Sequence, residues 1–200
     1  MSTGRVIIIN GSSSSGKTSI ALELQKLLEP QPLLLSIDAF LAMLPPVGHL
    51  GMSWAERTNE NGAVENAPLR WVFPDEPGGP VRIEVSEAGH RLVRGMHRAI
   101  AALAQTGNDV IFEHVFLEPE WQADLRDALA AVDVTFVGVR CPLDVIEERE
   151  RVRGNRVLGQ GRGHYDVVHD GAIYDIEVNT NEISPRQAAR RIAAHFDEPS

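Results

Sequence analysis

The sequence contains very little cysteine and lysine, and it has no long apolar run. Cys141 is the one cysteine among 200 residues, so no internal disulfide can form and a small disulfide-stabilised scaffold is excluded. No apolar stretch approaches the ~20 residues that a membrane-spanning helix needs. A signal peptide is not recognisable before the first apolar run either. We therefore expect a cytoplasmic protein without membrane association.

Positive charge is also scarce, because 28 acidic residues outnumber 19 basic ones and give a formal net charge of −9. Such a surface repels nucleic-acid backbones and anionic lipids, so we expect no nucleic-acid partner. Lys17 and Lys26 are the only lysines, and the remaining cations are arginines, whose planar guanidinium group suits phosphate. The length fits one domain, and 43% hydrophobic residues are enough for a buried core.

Short apolar runs alternate with helical patterns along the chain. Residues 5–10 form a β-branched run typical of a strand buried on both faces, a helix is predicted from 18 to 28, and a second strand from 33 to 37. Further strands are predicted at 109–113, 134–140 and 173–178, with helices at 86–105, after Pro119, after Pro142 and after a capping box at Ser184 to Gln187. This alternation predicts an α/β fold of three layers, in which helices cover both faces of a parallel sheet.

One long stretch, from 45 to 80, interrupts this alternation. It is rich in proline and glycine and contains Trp54, Trp71 and Phe73. A structureless segment of this length in a compact domain is typically a functional lid or disordered, and the aromatic residues favour a lid. Those aromatic side chains could stack on a substrate ring or pack in a small satellite core, and the sequence leaves both possibilities open.

A phosphate-binding motif lies between the first strand and the first helix. Its residues are Gly11, Ser12, Ser13, Ser14, Ser15, Gly16, Lys17 and Thr18. In such a P-loop the backbone N–H groups and the helix N-terminus surround phosphate, the lysine reaches the β- and γ-phosphates, and the Thr18 hydroxyl ligates Mg²⁺. The sequence therefore predicts a nucleotide site that holds ATP and Mg²⁺.

Two carboxylates follow strands and favour phosphoryl transfer over a GTPase switch. The guanine motif of a GTPase requires a second suitable lysine, but Lys26 is followed by two leucines. Asp38 comes after the second strand and is the candidate general base, although it could instead cap a helix over 39–44. Glu113 ends the third predicted strand, where it could orient Mg²⁺ or bind the acceptor.

Arginines cluster near glycines later in the chain. The cluster comprises Arg149, Arg151, Arg153, Arg156 and Arg162, spaced by glycines between 154 and 163. Guanidinium groups on a glycine-hinged segment could neutralise the transferred phosphoryl group, while neighbouring glutamates allow the alternative of a solvated helix face. We expect Arg149 and Arg153, four residues apart, to contact phosphate. His114 and His169 could touch substrate or simply pack.

Several segments resemble the chloramphenicol phosphotransferase family. They are the P-loop with its preceding strand (8–18), Ile37-Asp38, Val-Gly-Val-Arg-Cys at 137–141, Arg-Gly-Asn-Arg at 153–156, and the segment 167–178 that begins Val-Val-His. The resemblance implies a single P-loop kinase domain over 1–200, which moves the γ-phosphoryl group of ATP to an alcohol. It places Asp38 as base and Arg149, Arg153 and Arg156 in a lid over 149–163.

The chain departs from that family in two places. Glu113-His114 stands where two consecutive acidic residues are usual, and the segment 45–83 is longer than expected, so we interpret it as an insertion covering the acceptor. The leading hypothesis is an ATP-dependent O-phosphotransferase acting on a small hydroxyl compound, with chloramphenicol or a related antibiotic as the candidate. A zeta-toxin-like kinase of a nucleotide sugar and a non-catalytic nucleotide-binding regulatory module are the alternatives. A homo-oligomer is compatible with each of them.

Overall fold

The computed structural model describes residues 2–44, 68–76, 78–154 and 157–196. The strands are β1 Val6–Asn10, β2 Leu33–Ser36, β3 Leu69–Val72, β4 Arg82–Val85, β5 Val110–His114, β6 Val134–Arg140 and β7 Ile176–Asn179. The helices are α1 Lys17–Leu27, α2 Ile37–Leu41, α3 Glu87–Gln105, α4 Glu120–Ala128, α5 Leu143–Arg153, α6 Gln160–Tyr165 and α7 Pro185–Phe196. None of the helices within these ranges is long and apolar enough to cross a membrane.

Five parallel strands form the central sheet in the order β2-β5-β1-β6-β7. Strand β1 lies in the middle, where Ile8 is opposite Phe112 of β5 on one side and Phe136 of β6 on the other. All five residues of β1 are buried. A continuous β-branched run suits a central strand because such a strand is covered on both faces. The predicted parallel sheet is confirmed.

The side chains of β1 alternate between two hydrophobic cores. Val6 and Ile8 pack with α3 and α4, whereas Ile7 and Ile9 pack with α1 and α7. Each fully buried isoleucine contributes about 1.5–3 kcal/mol to stability. Helices thus cover both faces of the sheet, and the predicted three-layer α/β fold is confirmed.

Serine side chains cap the N-termini of three of the described helices, namely α2, α3 and α7. At α7 the capping box is present, since Gln187 Oε1 accepts from the N–H of Ser184 at 2.9 Å while Ser184 Oγ accepts from the N–H of Gln187 at 3.3 Å. At α2 the cap is Ser36, whose Oγ accepts from the N–H of Ala39 at 3.1 Å. The interpretation of Asp38 as the cap of a helix over 39–44 is therefore wrong, because Asp38 lies inside the first turn of α2.

A two-stranded antiparallel hairpin of β3 and β4 lies apart from the main sheet. The expectation that 45–80 lacks secondary structure is therefore wrong for its end, since β3 begins at Leu69; residues 45–67 and 77 lie outside the described ranges. The final strand also begins later than predicted, at Ile176, and Ile173 is 69% exposed. Strands β3 and β7 have only four residues each. In a sequence rich in proline and glycine, so short an alternating pattern does not locate a strand reliably.

The hairpin contacts the glycine-rich segment through backbone atoms. The N–H of Val81, just before β4, donates to the carbonyl oxygen of Gly159 at 2.9 Å. A Cβ atom at Gly163 would lie 1.9 Å from the carbonyl oxygen of Val81, so only glycine permits this approach. The hairpin and α6 therefore pack backbone to backbone.

Two glycines of α3 are expected to respond oppositely to alanine. Gly95 is exposed, and nothing lies within 4 Å of a Cβ atom added there, so Gly95→Ala should raise the free energy of unfolding by about 0.5–1 kcal/mol. Gly89 is buried, and an added Cβ atom would lie 2.2 Å from the carbonyl oxygen of Pro68. Gly89→Ala should therefore lower that free energy by about 1–3 kcal/mol. Urea unfolding of both variants checks this, and a Gly89→Ala variant as stable as wild type would contradict the packing described here.

Candidate functional site

The P-loop connects the end of β1 to the start of α1. Gly16 precedes the helix with φ of 99°, and Ser14 has φ of 59°, both in the left-handed region. Within the described chain, the hydroxyl oxygens of Ser14 and Ser15 are buried and have no hydrogen-bond partner. Among the described residues no side chain caps α1, and the N–H groups of its first turn suit the binding of an anion. Orphaned hydroxyls and helix N–H groups at one place fit the phosphates of a nucleotide.

Lys17 and Thr18 extend this site toward the neighbouring strand. Lys17 Nζ donates to the carbonyl oxygens of Gly11 and Ser12, at 2.7 Å each, which holds the ammonium group against the loop. Thr18 Oγ1 donates to Glu113 Oε2 at 2.8 Å. Glu113 lies near the end of β5, directly beside β1, and is 7% exposed. The parallel pairing of these strands therefore brings the predicted magnesium residues together.

These oxygens also suit Mg²⁺ chemically. Mg²⁺ prefers hard oxygen ligands and usually binds through one or two protein groups together with phosphates and water. Among the residues described, no group of three or more His, Cys, Asp and Glu side chains is placed to hold a metal ion. A nucleotide-linked magnesium, held by Thr18 with Glu113 nearby, fits this arrangement better than an ion bound by protein groups alone.

Asp38 and the P-loop line the same cleft, which has a volume of about 790 Å³. Asp38 is exposed in the first turn of α2, immediately after β2. Strand β2 neighbours β5, so Asp38 and Glu113 reach the same edge of the sheet. They are the two carboxylates among the described residues that line the cleft.

Apolar side chains form another wall of the cleft. They come from α2, the hairpin, the segment after β5 and the start of α4, and include Leu41, Leu69, Ile83, Val115, Leu117 and Trp121. Of the aromatic residues singled out in the sequence, Trp71 is half-buried and Phe73 is exposed, and neither is among the described lining residues; Trp54 lies outside the described ranges. Among the described residues, Trp121 of α4 is the large aromatic side chain that lines the cleft.

The predicted arginines differ in their surroundings. Arg149 donates to the carbonyl oxygen of Ser15 at 3.3 Å, and to Oγ1 and the carbonyl oxygen of Thr180 at 2.9 and 3.0 Å. Arg153, one turn later, is exposed, and both arginines line the cleft. Arg156 lies outside the described residues. Arg149 therefore links α5 to the P-loop, while the Arg153 side chain extends from the end of α5.

Glu150 fixes the chain that follows α5, a role the sequence did not reveal. It is 1% exposed, and its two carboxylate oxygens accept from the N–H groups of Gly159 and Gly161 at 2.7 and 2.9 Å. Ser12 Oγ of the P-loop donates to the carbonyl oxygen of Gly161 at 2.9 Å. The predicted lid segment thus touches the P-loop through Gly161 as well as through Arg149.

The segment 167–178 forms hydrogen bonds with Asn10, the residue directly before the P-loop. Asn10, the last residue of β1, donates from Nδ2 to the carbonyl oxygen of Val168 at 2.7 Å and to Tyr174 Oη at 2.6 Å, and its Oδ1 accepts from the N–H of Phe116 at 2.9 Å. Burial raises the pKa of Tyr174 to about 12 and lowers the pKa of His169 to about 4. Both side chains are therefore neutral near pH 7, and they share a hydrogen bond of 2.7 Å.

His114 is fully buried at the end of β5 and is among the residues that line the cleft. Its Nε2 lies 3.0 Å from Nε2 of His97 in α3, whose Nδ1 lies 2.6 Å from Asp124 Oδ2 in α4. Burial lowers the pKa of His97, and burial together with the nearby His97 lowers the pKa of His114 well below its usual value. The sequence pointed to His114 through its place beside Glu113, but it gave no sign of His97 or Asp124.

Comparison with solved structures shows a P-loop kinase fold. A sugar kinase from Janibacter superimposes with a TM-score of 0.63 at 18% identity, covering 97% of this chain and 95% of that one. The APS kinase CysC of Mycobacterium tuberculosis, solved with AMPPNP and APS, gives a TM-score of 0.63 at 17% identity over 99% of this chain and 100% of that one. Likeness at this level of identity concerns the fold.

Sequence comparison identifies the family. A protein of Mycobacterium tuberculosis, provisionally named an O-phosphotransferase, is 32% identical over 193 residues, which is 96% of this chain and 82% of that protein. The model of the chloramphenicol phosphotransferase-like proteins matches residues 4–197. With the P-loop, the parallel sheet and this match, the chain belongs to the chloramphenicol phosphotransferase-like family.

Proposed function

We propose that this protein transfers the γ-phosphoryl group of ATP to a hydroxyl group of a small molecule. The observation that carries the proposal is that Asp38 and the P-loop line one cleft, so a base and a phosphate site face the same space. Membership of a phosphotransferase family supports this reaction type. The provisional name of the mycobacterial relative, an O-phosphotransferase, supports a hydroxyl acceptor.

The two carboxylates of the cleft have different tasks in this proposal. Glu113 is buried and accepts a hydrogen bond from the Thr18 hydroxyl, so it belongs to the phosphate side. Asp38 is exposed and accepts the proton of the acceptor hydroxyl. The acceptor oxygen then forms a bond to the γ-phosphorus while the bond from that phosphorus to the bridging oxygen of ADP breaks. The proton remains on Asp38, which releases it to water when the products leave.

Cationic groups stabilise the charge on the transferred group. Lys17 lies on the P-loop, and Arg149 and Arg153 line the cleft from α5. Because little covalent chemistry is required of the protein in phosphoryl transfer, positioning and charge neutralisation supply most of the rate. When bound beside Thr18, Mg²⁺ would neutralise further phosphate charge.

The apolar wall supports an acceptor with an apolar body. Leu69 and Ile83 of the hairpin face the cleft together with Leu117 and Trp121. Apolar walls with a few polar groups are typical of small-molecule sites, and the apolar side chains suit an apolar part of the ligand. Chloramphenicol, an uncharged alcohol with an aromatic ring, is therefore the first acceptor to test.

Asp38→Asn is expected to leave ATP affinity nearly unchanged, because the P-loop and the start of α1 bind the phosphates, whereas Asp38 belongs to α2. Phosphoryl transfer should fall by at least about 100-fold, since the amide cannot accept the proton. Turnover of labelled ATP and calorimetric ATP binding measure the two effects separately. Asp127→Asn, an exposed residue of α4 outside the described cleft lining, is the matched control and should turn over like wild type. Full transfer by Asp38→Asn would rule out its role as base.

A screen of hydroxyl compounds with labelled ATP tests the acceptor itself. Phosphorylated chloramphenicol supports the whole proposal. Transfer to a nucleotide sugar instead would keep the reaction type and contradict the antibiotic acceptor. ATP binding without transfer to any compound would contradict the proposed function and favour a nucleotide-binding regulatory module.

Arg153→Ala is expected to lower kcat by at least about tenfold, because a cation near the developing charge is lost. The change should leave the fold intact, since Arg153 is exposed at the end of α5. Arg151→Ala is the control on the same helix, because Arg151 pairs with Glu148 on the surface and is not among the described lining residues. Equal kcat values for the two variants would contradict the role of Arg153.

A further inference from the structure

We propose that Asp124 and His97 are positioning residues, which fix the buried His114 in one tautomer and thereby hold the cleft wall that follows Glu113. The proposal rests on the proposed function for its effect on turnover. Its structural part, the assignment of protons along three side chains, stands on hydrogen-bond geometry alone. The three residues come from three different elements, namely α4, α3 and β5.

The chain of contacts is continuous and shielded from water. Asp124 Oδ2 lies 2.6 Å from His97 Nδ1, and His97 Nε2 lies 3.0 Å from His114 Nε2. Both histidines are 0% exposed, whereas the Asp124 side chain is 20% exposed and also pairs with Arg98. The contacts thus lead from a partly solvated carboxylate on α4 to a fully buried ring beside the cleft.

One backbone contact fixes the position of every proton. The N–H of Val115 donates to His114 Nδ1 at 2.8 Å, so this nitrogen carries a lone pair. The neutral ring of His114 must then carry its proton on Nε2 and donate it to His97 Nε2. That contact makes His97 Nε2 an acceptor, which leaves the proton of His97 on Nδ1, where it donates to Asp124.

The surroundings favour this neutral arrangement. The rings of Phe112, Phe116 and Trp121 pack against the His114 ring, with centroid distances of 5.3, 4.6 and 5.7 Å. Both ring nitrogens of His114 are hydrogen-bonded within the protein. His114 therefore has no lone pair or proton left to bond the hydroxyl substrate.

Fixing the His114 ring restrains the backbone between Glu113 and Val115. Glu113 accepts from Thr18, and Val115 lines the cleft one residue after His114. A His114 ring held from both sides restrains this backbone, and with it the carboxylate of Glu113. Neither His97 nor Asp124 is among the described residues that line the cleft, so they act on it through His114.

Two substitutions at His97 separate positioning from simple packing. His97→Leu fills most of the space but leaves the His114 Nε2–H without an acceptor in a buried site. His97→Gln retains a carbonyl oxygen that can accept from His114 and an amide that can donate to Asp124. We expect His97→Leu to lower kcat about 10- to 100-fold, as losses of supporting hydrogen bonds typically do, with the KM for ATP unchanged. His97→Gln should recover most of that loss.

Thermal unfolding of His97→Leu and His97→Gln is measured beside kcat, so that a loss of kcat is not mistaken for a loss of folded protein. A kcat of the Leu variant equal to wild type would overturn the proposal. Equal losses of kcat in the Leu and Gln variants would overturn it as well, because packing rather than the hydrogen bond would then be responsible.

Nitrogen NMR of the wild-type protein tests the proton assignment without any acceptor. With ¹⁵N-labelled histidine at pH 7.5, His114 should carry its proton on Nε2 and His97 on Nδ1. The opposite tautomers, or a charged ring at either position, would overturn the proposal. Because this readout needs no turnover, it remains valid if the proposed function fails, so the two failures are distinguishable.

Discussion

Strand β1 is paired in parallel with a neighbour on each edge, and this constraint decides where the functional groups lie. Parallel strands end at a common edge, so the P-loop after β1 meets Glu113 at the end of β5. Strand β2 pairs on the far side of β5, and its continuation brings Asp38 to the same edge. At that edge the side-chain amide of Asn10 donates to the carbonyl oxygen of Val168 and accepts from the N–H of Phe116. These two hydrogen bonds tie the residue before the P-loop to the segments on either side of it.

Features set by consecutive residues could be predicted from the sequence. The P-loop is recognisable because strand, glycine spacing, lysine and helix follow one another within a few residues. The capping box of Ser184 and Gln187 is equally local, since both bonds join residues three apart. The approach of Asp38 to the cleft was predictable too, because the carboxyl ends of parallel strands meet at one edge of the sheet, where ligands bind. Its place within α2 was not, because Ser36 and Asp38 are both suitable caps.

Contacts between distant residues left no mark on the sequence. Glu150 lies between Arg149 and Arg151 in a charged run that resembles a solvated helix face. It is buried because its carboxylate accepts hydrogen bonds from the backbone N–H groups of Gly159 and Gly161, which carry no side-chain pattern. His97 lies among apolar positions of α3, and its partners Asp124 and His114 become neighbours only after α4 and β5 pack against that helix. Such sites follow from tertiary packing, which periodicity does not encode.

The contact between the hairpin and α6 has a consequence for how members of this fold can diversify. It is made by the backbone groups of Val81 and Gly159 and by the absence of a side chain at Gly163. A contact made by backbone atoms does not depend on which side chains the hairpin carries. Substitutions at Leu69 or Ile83 can therefore reshape the cleft wall while the attachment of the wall to the arginine-bearing side of the site is preserved. Variation in substrate preference is thus compatible with a conserved scaffold, provided that the glycines stay.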